Sequence, residues 1–117
     1  MDVFVGAEYI IANALIALKR KGVDEVKISV LQSYGAIVQK TCVEQSINAV
    51  FLLSSYNVSA AIYNFSDYFT YVEDSCEPVI RLNSDVKIED LESRFMGYLP
   101  IQLLKVIITR AQDLEAA

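Results

Sequence analysis

The chain contains no histidine and no tryptophan. Without histidine there is no side chain whose ordinary pKa lies near neutrality, so Ser–His and Cys–His nucleophile pairs and the commonest zinc ligand are excluded. Glycine and proline are scarce, at four and two residues among 117. None of those glycines falls in a G-x-x-x-x-G-K-[ST] or G-x-G-x-x-G run, so the usual phosphate cradles are missing. Two cysteines, Cys42 and Cys76, are too few and too far apart for a disulfide framework or a thiolate metal site. They read as two buried thiols in a reducing cytoplasm. The opening Met1-Asp2 lacks the positive n-region of a signal peptide, so the sequons at Asn57 and Asn64 carry little meaning and a cytoplasmic location is expected.

Positive charge is missing from the middle of the chain. No Lys or Arg occurs between Lys40 and Arg81, while Glu44, Asp67, Glu73, Asp74 and Glu77 lie in that gap and equal the whole net charge of −5. Nucleic-acid binding draws most of its affinity from cations at phosphates, so no nucleic-acid partner is expected for this segment. Long apolar runs are also limited. Val3 to Leu18 is nearly all apolar and is followed by Lys19-Arg20-Lys21, but it is shorter than the ~20 residues that span a bilayer and it holds Glu8 and Asn13. A central core helix is expected there and no membrane partner, with Glu8 and Asn13 looking out through a narrow wet stripe.

What the chain has in quantity is apolar residues, 54% of the total. They suffice for one globular domain over residues 1–117, with no internal repeat. Their spacing predicts a mainly α fold, a compact bundle of four to six helices. The first helix runs from Val3 to Lys21 with Gly22 just past its end. Asp24 caps a second, with Val26, Val30, Tyr34, Ile37 and Val38 as its stripe, and the Gly35 inside it suggests close approach of another helix. Thr41-x-x-Glu44 has capping-box form and predicts a third helix over Val43, Ile47, Val50 and Phe51. Asn57 caps a fourth, with Val58, Ala61, Ile62, Phe65, Phe69 and Val72 at steps of three and four. A two-stranded hairpin over residues 68–82 is the alternative for its end, because Tyr68–Val72 and Val79–Leu82 favour strands and are separated by a turn-like stretch. Ser84 or Asp85 caps a further helix carrying Ile88, Leu91, Phe95 and Leu99. Pro100 kinks it or starts the last, with Ile101, Leu104, Ile107, Ile108, Ala111 and Leu114 as the buried stripe.

Aromatic residues provide the functional clue. Seven of the twelve lie between Phe51 and Tyr71. Phe51, Phe65 and Phe69 fall on helical stripes and read as core, whereas Tyr56, Tyr63, Tyr68 and Tyr71 lie mostly off them. Tyrosines on a surface without lysine have the composition of a protein-binding patch. The expectation is a non-enzymatic interaction module, a small regulatory, adaptor or inhibitor protein whose partner is another protein or a second copy of itself. Its interface comprises Tyr56, Tyr63, Tyr68 and Tyr71, rimmed by Asp67, Glu73 and Asp74. A helix-turn-helix-like regulator is the alternative, with the third and fourth helices as the pair and Tyr68–Leu82 as a wing. A small enzyme working through carboxylates such as Glu89, Asp90 and Glu92 comes third. No catalytic residue, cofactor or metal ligand is expected.

Overall fold

The structure is a computed structural model in which residues 2–73 and 76–116 are described. Strand β1 (Val3–Gly6) leads directly into helix α1 (Ala7–Arg20). Then follow β2 (Glu25–Lys27), α2 (Ile28–Glu44), β3 (Ala49–Leu52), α3 (Ser55–Asn64), β4 (Phe69–Val72), β5 (Val79–Leu82), α4 (Ile88–Phe95) and α5 (Ile101–Ala116). Among the described residues five helices agree with the expected number, but the strands form two small sheets, so the fold is mixed α/β and not a purely helical bundle. β1 and β3 pair in parallel, from Val3 beside Ala49 to Gly6 beside Leu52. The second sheet is antiparallel, in the order β2–β5–β4. Its β4–β5 arm is the hairpin weighed as the alternative over residues 68–82, pairing Phe69 with Leu82 through Val72 with Val79, and the fourth helix ends at Asn64 instead of running on to Val72.

Helix α1 is the centre of the molecule. Ile10, Ile11, Leu15 and Ile16 are buried on it, and the elements α2, α3, α4, α5 and β2 all pack around it. The helix expected from Val3 begins four residues later because Val3–Gly6 finds a strand partner 46 residues away. Its end is as expected. Gly22, at φ 82°, closes a Schellman motif in which the amides of Gly22 and Val23 donate to the carbonyls of Lys19 and Leu18 at 3.0 and 2.9 Å. Arg20 then ties this end to α4 and α5 through Glu92 at 3.6 Å and Glu115 at 3.3 Å. Asn13 does not share a wet stripe with Glu8. Asn13 is only 2% exposed and donates its amide to the Tyr9 carbonyl at 2.8 Å, while Glu8 is half-buried in the first turn.

Four expected helix starts are not where the spacing placed them, each for a visible reason. Asp24 does not cap a helix, because Glu25–Lys27 pairs with β5 and α2 begins only at Ile28. No helix starts at Thr41. Its hydroxyl donates back to the Ile37 carbonyl at 2.9 Å, the bond of a threonine inside a helix. α2 runs on to Glu44 and ends in a second Schellman motif, with Ser46 at φ 59° where glycine is usual. There the amides of Ser46 and Ile47 donate to the carbonyls of Val43 and Cys42 at 3.1 and 2.8 Å. Of the residues read as a third helix, Val43 belongs to α2, Ile47 to the turn, and Val50 and Phe51 to strand β3. Asn57 is not a cap either. It stands three residues into the turn capped by Ser54, whose hydroxyl accepts from the Asn57 amide at 3.2 Å. α4 starts after Lys87 rather than at Ser84 or Asp85, and the Asp90 carboxylate accepts the Lys87 amide at 2.9 Å.

Packing refines the stripes as well. On α5 the buried residues are Leu103, Val106, Ile107 and Ala111, whereas Leu104, Ile108 and Leu114 are half-buried and Ile101 is exposed. On α2 they are Leu31, Tyr34, Gly35, Val38 and Cys42, and Ile37 faces water. Gly35 does mark a close approach, but by a side chain from beyond β3 and not by a helix. A Cβ there would run into the end of the Leu53 side chain. Cys42 is buried and Cys76 is exposed, so the expectation of two buried thiols holds for the first alone; no disulfide joins them. Among the described residues no helix is long and apolar enough to cross a membrane.

Candidate functional site

The hairpin and α3 together leave an apolar groove open to solvent. It is lined by Val58 and Ile62 of α3, Ile28 and Gln32 at the start of α2, and Tyr71 of β4 with Pro78. Its volume is about 550 Å³. Strand alternation puts Tyr71 there. Phe69, Tyr71, Ile80 and Leu82 share the inner face of the sheet with Val26; Phe69, Ile80 and Leu82 are buried, and Tyr71 lies at the end where the core stops. Helical spacing supplies the α3 lining, since Ser55, Ser59 and Ile62, and likewise Val58 and Ile62, lie three or four residues apart on one face of α3. Tyr63, 83% exposed, stands beside that face and lines the groove. The polar groups around it are the tyrosine hydroxyls, the hydroxyls of Ser55 and Ser59 and the amide of Gln32. Such a lining suits apolar side chains oriented by a few hydrogen bonds.

The expected tyrosine patch is thus divided. Tyr63 and Tyr71 meet at the groove. Tyr56 is 81% exposed near the start of α3 but does not line it. Tyr68 belongs to a different neighbourhood, an aromatic cluster about the fully buried Phe95. The rings of Phe65, Tyr68, Phe69 and Tyr9 lie 5.2, 5.3, 5.7 and 6.1 Å from that of Phe95. Arg94 covers the cluster, its guanidinium 5.0 Å from the Phe65 ring. Asp67 and Glu73 are exposed on either side of β4, and Asp74 lies outside the described residues. Ile28, Val58, Ile62 and Pro78 were not anticipated as groove residues. The signal available was the α3 stripe itself, which reads as core whether or not another element covers it.

Titration is perturbed away from the groove. Burial pushes the Tyr34 hydroxyl far above its ordinary range, and this hydroxyl donates to the Ile107 carbonyl at 2.7 Å. Burial, reinforced by the Glu8 carboxylate, raises Tyr9, and burial raises Cys42. All three groups hold the core. Glu89 and Asp90 sit in the first turn of α4, where negative charge complements the helix dipole, and Glu92 is joined to Arg20. Among the described residues no three acidic or cysteine side chains converge as metal ligands. The chain matches no protein-family model, no curated protein and no solved structure.

Proposed function

We propose that the protein is a non-enzymatic interaction module that docks a segment of a partner protein in the groove between α2, α3 and the hairpin. The observation that carries this reading is the groove itself, an apolar depression of about 550 Å³ with Tyr63 and Tyr71 on its surface. Tyrosine offers large contact area at low conformational cost, which makes it a frequent anchor in binding surfaces. Tyr56, Asp67 and Glu73 are exposed on the elements that line the groove or next to them in the chain, and in this reading they contribute at the rim. A test is selection from a displayed library of random peptides on the wild-type chain, with Ser59→Arg as the comparison. Ser59 is exposed, so the arginine fills the groove without entering the core. Selected peptides should lose affinity by at least about tenfold on the variant, or 1.4 kcal/mol. A selection that yields no peptide sensitive to Ser59→Arg refutes the reading.

One feature favours the nucleic-acid regulator as a second reading. Helices α2 and α3 are followed by an antiparallel hairpin, and β2 beside β5 completes the sheet, as a wing would require. Against it, α3 (SYNVSAAIYN) has no cation, and ten residues including β3 separate it from α2, where a helix-turn-helix has three or four. Arg81 on the hairpin is paired with Glu25 at 2.8 Å. A gel shift with generic duplex DNA at low salt should show no retardation, and salt-sensitive binding would promote this reading over the first.

A further inference from the structure

The two edges of the antiparallel sheet are built differently. β2 is three residues long and carries Glu25 and Lys27, the short and charged form by which natural sheets protect an edge. β4 reads Phe69-Thr70-Tyr71-Val72, with no charge, no proline and no glycine. Its register fixes which backbone groups are used. The Asn83 amide donates to the Tyr68 carbonyl at 2.9 Å, so Tyr68, Thr70 and Val72 face β5, while Phe69 and Tyr71 turn their backbones to the opposite side. The Phe69 amide is occupied by the Phe65 carbonyl at 3.2 Å. Among the described residues no strand pairs with the outer side of β4, and Tyr71 is 46% exposed there. The same residue therefore presents an open backbone edge and a side chain in the groove.

We infer that the outer edge of β4 accepts an extended, basic segment of a partner protein as an added strand, with an apolar side chain of that segment seated in the groove beside Tyr71. This deepens the docking function proposed above and rests on it. Tyr71 exchanges its amide and carbonyl bonds with the added strand, and because strand residues alternate between faces, every second partner side chain points toward Val58 and Ile62. Charge sets the rest of the recognition. Asp67 and Glu73 are exposed just before and just after β4 in the chain, and no lysine or arginine occurs between residues 40 and 81, so cations on the partner meet no repulsion from this stretch. A helix laid in the groove would use the apolar lining but leave the Tyr71 backbone groups in water. The strand uses both.

The test uses a heptapeptide of alternating lysine and isoleucine, blocked at both ends, and two relatives N-methylated either at every isoleucine or at every lysine. Binding is followed through the backbone amides of the whole chain by NMR. The unmethylated peptide should shift the Tyr71 amide and slow its hydrogen exchange, and Ser59→Arg should weaken it by at least about tenfold. One methylated relative should lose binding by a similar factor and the other retain it. Loss on isoleucine methylation means an antiparallel added strand, and loss on lysine methylation a parallel one. Equal binding of all three peptides, or no shift at about 1 mM peptide, overturns strand addition. If library peptides sensitive to Ser59→Arg are nevertheless found, the groove remains a docking site for another conformation. Protection of the Tyr71 amide that grows with protein concentration alone, without peptide, would identify a second copy as the occupant and also overturn the inference.

Discussion

Apolar residues are handled in opposite ways on the two sides of this molecule. Around α1, the side chains of Ile10, Ile11, Leu15, Leu31, Leu103 and Ile107 are closed off completely by the surrounding helices. On the α3–hairpin side, Tyr56, Tyr63 and Tyr71 stand largely in water beside an uncovered groove. Phe65, Tyr68, Phe69 and Phe95 form the seam between them, an aromatic layer buried at Phe69 and Phe95 and half-exposed at Phe65 and Tyr68. The difference teaches that aromatic density along the chain is not a single signal. Within residues 51–71 the same composition supplies a core seam through one set of positions and a wet surface through another.

Substitutions should separate the two sides, beginning with the core. Ile107→Asp buries a charge with no partner and should abolish folding, whereas Leu104→Asp, at a half-buried position on the same helix, should leave a folded but weakened domain by circular dichroism. Phe95→Ala removes the ring around which the seam is built and should cost about 3–5 kcal/mol in urea unfolding. Equal effects of Ile107→Asp and Leu104→Asp would mean that the α5 packing face is misassigned.

Tyr34→Phe should cost about 1 kcal/mol by removing the bond to the Ile107 carbonyl. It should also change the alkaline limb of stability. The folded chain holds the Tyr34 proton more tightly than the unfolded chain, where the ordinary pKa of 10.0 applies. The Tyr34 contribution is therefore complete below about pH 10 and falls as pH rises further, by about 1.4 kcal/mol per pH unit. Denaturant midpoints at rising pH should show a shallower decline in Tyr34→Phe, with Cys42 and Tyr9, both also raised by burial, contributing slope of the same sign. The smallest effect belongs to the groove side. Tyr63→Ala should change stability by less than about 0.5 kcal/mol, while Tyr68→Ala, whose ring packs on Phe95 and Phe69, should cost several times more. If the two cost the same, the seam and the surface are not distinct.

Much of the helical content was legible because it is local. Gly22 ends α1 where a left-handed residue was expected and Pro100 immediately precedes α5, whereas the strand-favouring residues of Tyr68–Leu82 left helix and hairpin both open until β4 was seen to pair with β5. The end of α2 was not legible. Its left-handed position is occupied by Ser46 instead of glycine, and Thr41-x-x-Glu44 imitates a capping box inside a continuing helix. The groove was half legible. Tyr63 and Tyr71 could be picked out by lying off the stripes, but no spacing along the chain brings Ile28 and Pro78 to face Val58 and Ile62.

The sequence by itself determined that this chain forms one apolar core, that at least four of its segments are helical, and that residues 41–80 carry no positive charge. Those properties depend on composition and on contacts within a few turns. Tertiary structure alone decided that Val3–Gly6 and Ala49–Leu52 are strands, that Glu25–Lys27 joins the hairpin, and that Tyr68 is seam while Tyr63 is surface. A short apolar run reads alike as a buried helix turn or a buried strand, and it becomes a strand when a distant segment satisfies its amides and carbonyls. That partner is chosen by the folded topology, in which an edge at residue 3 meets one at residue 49.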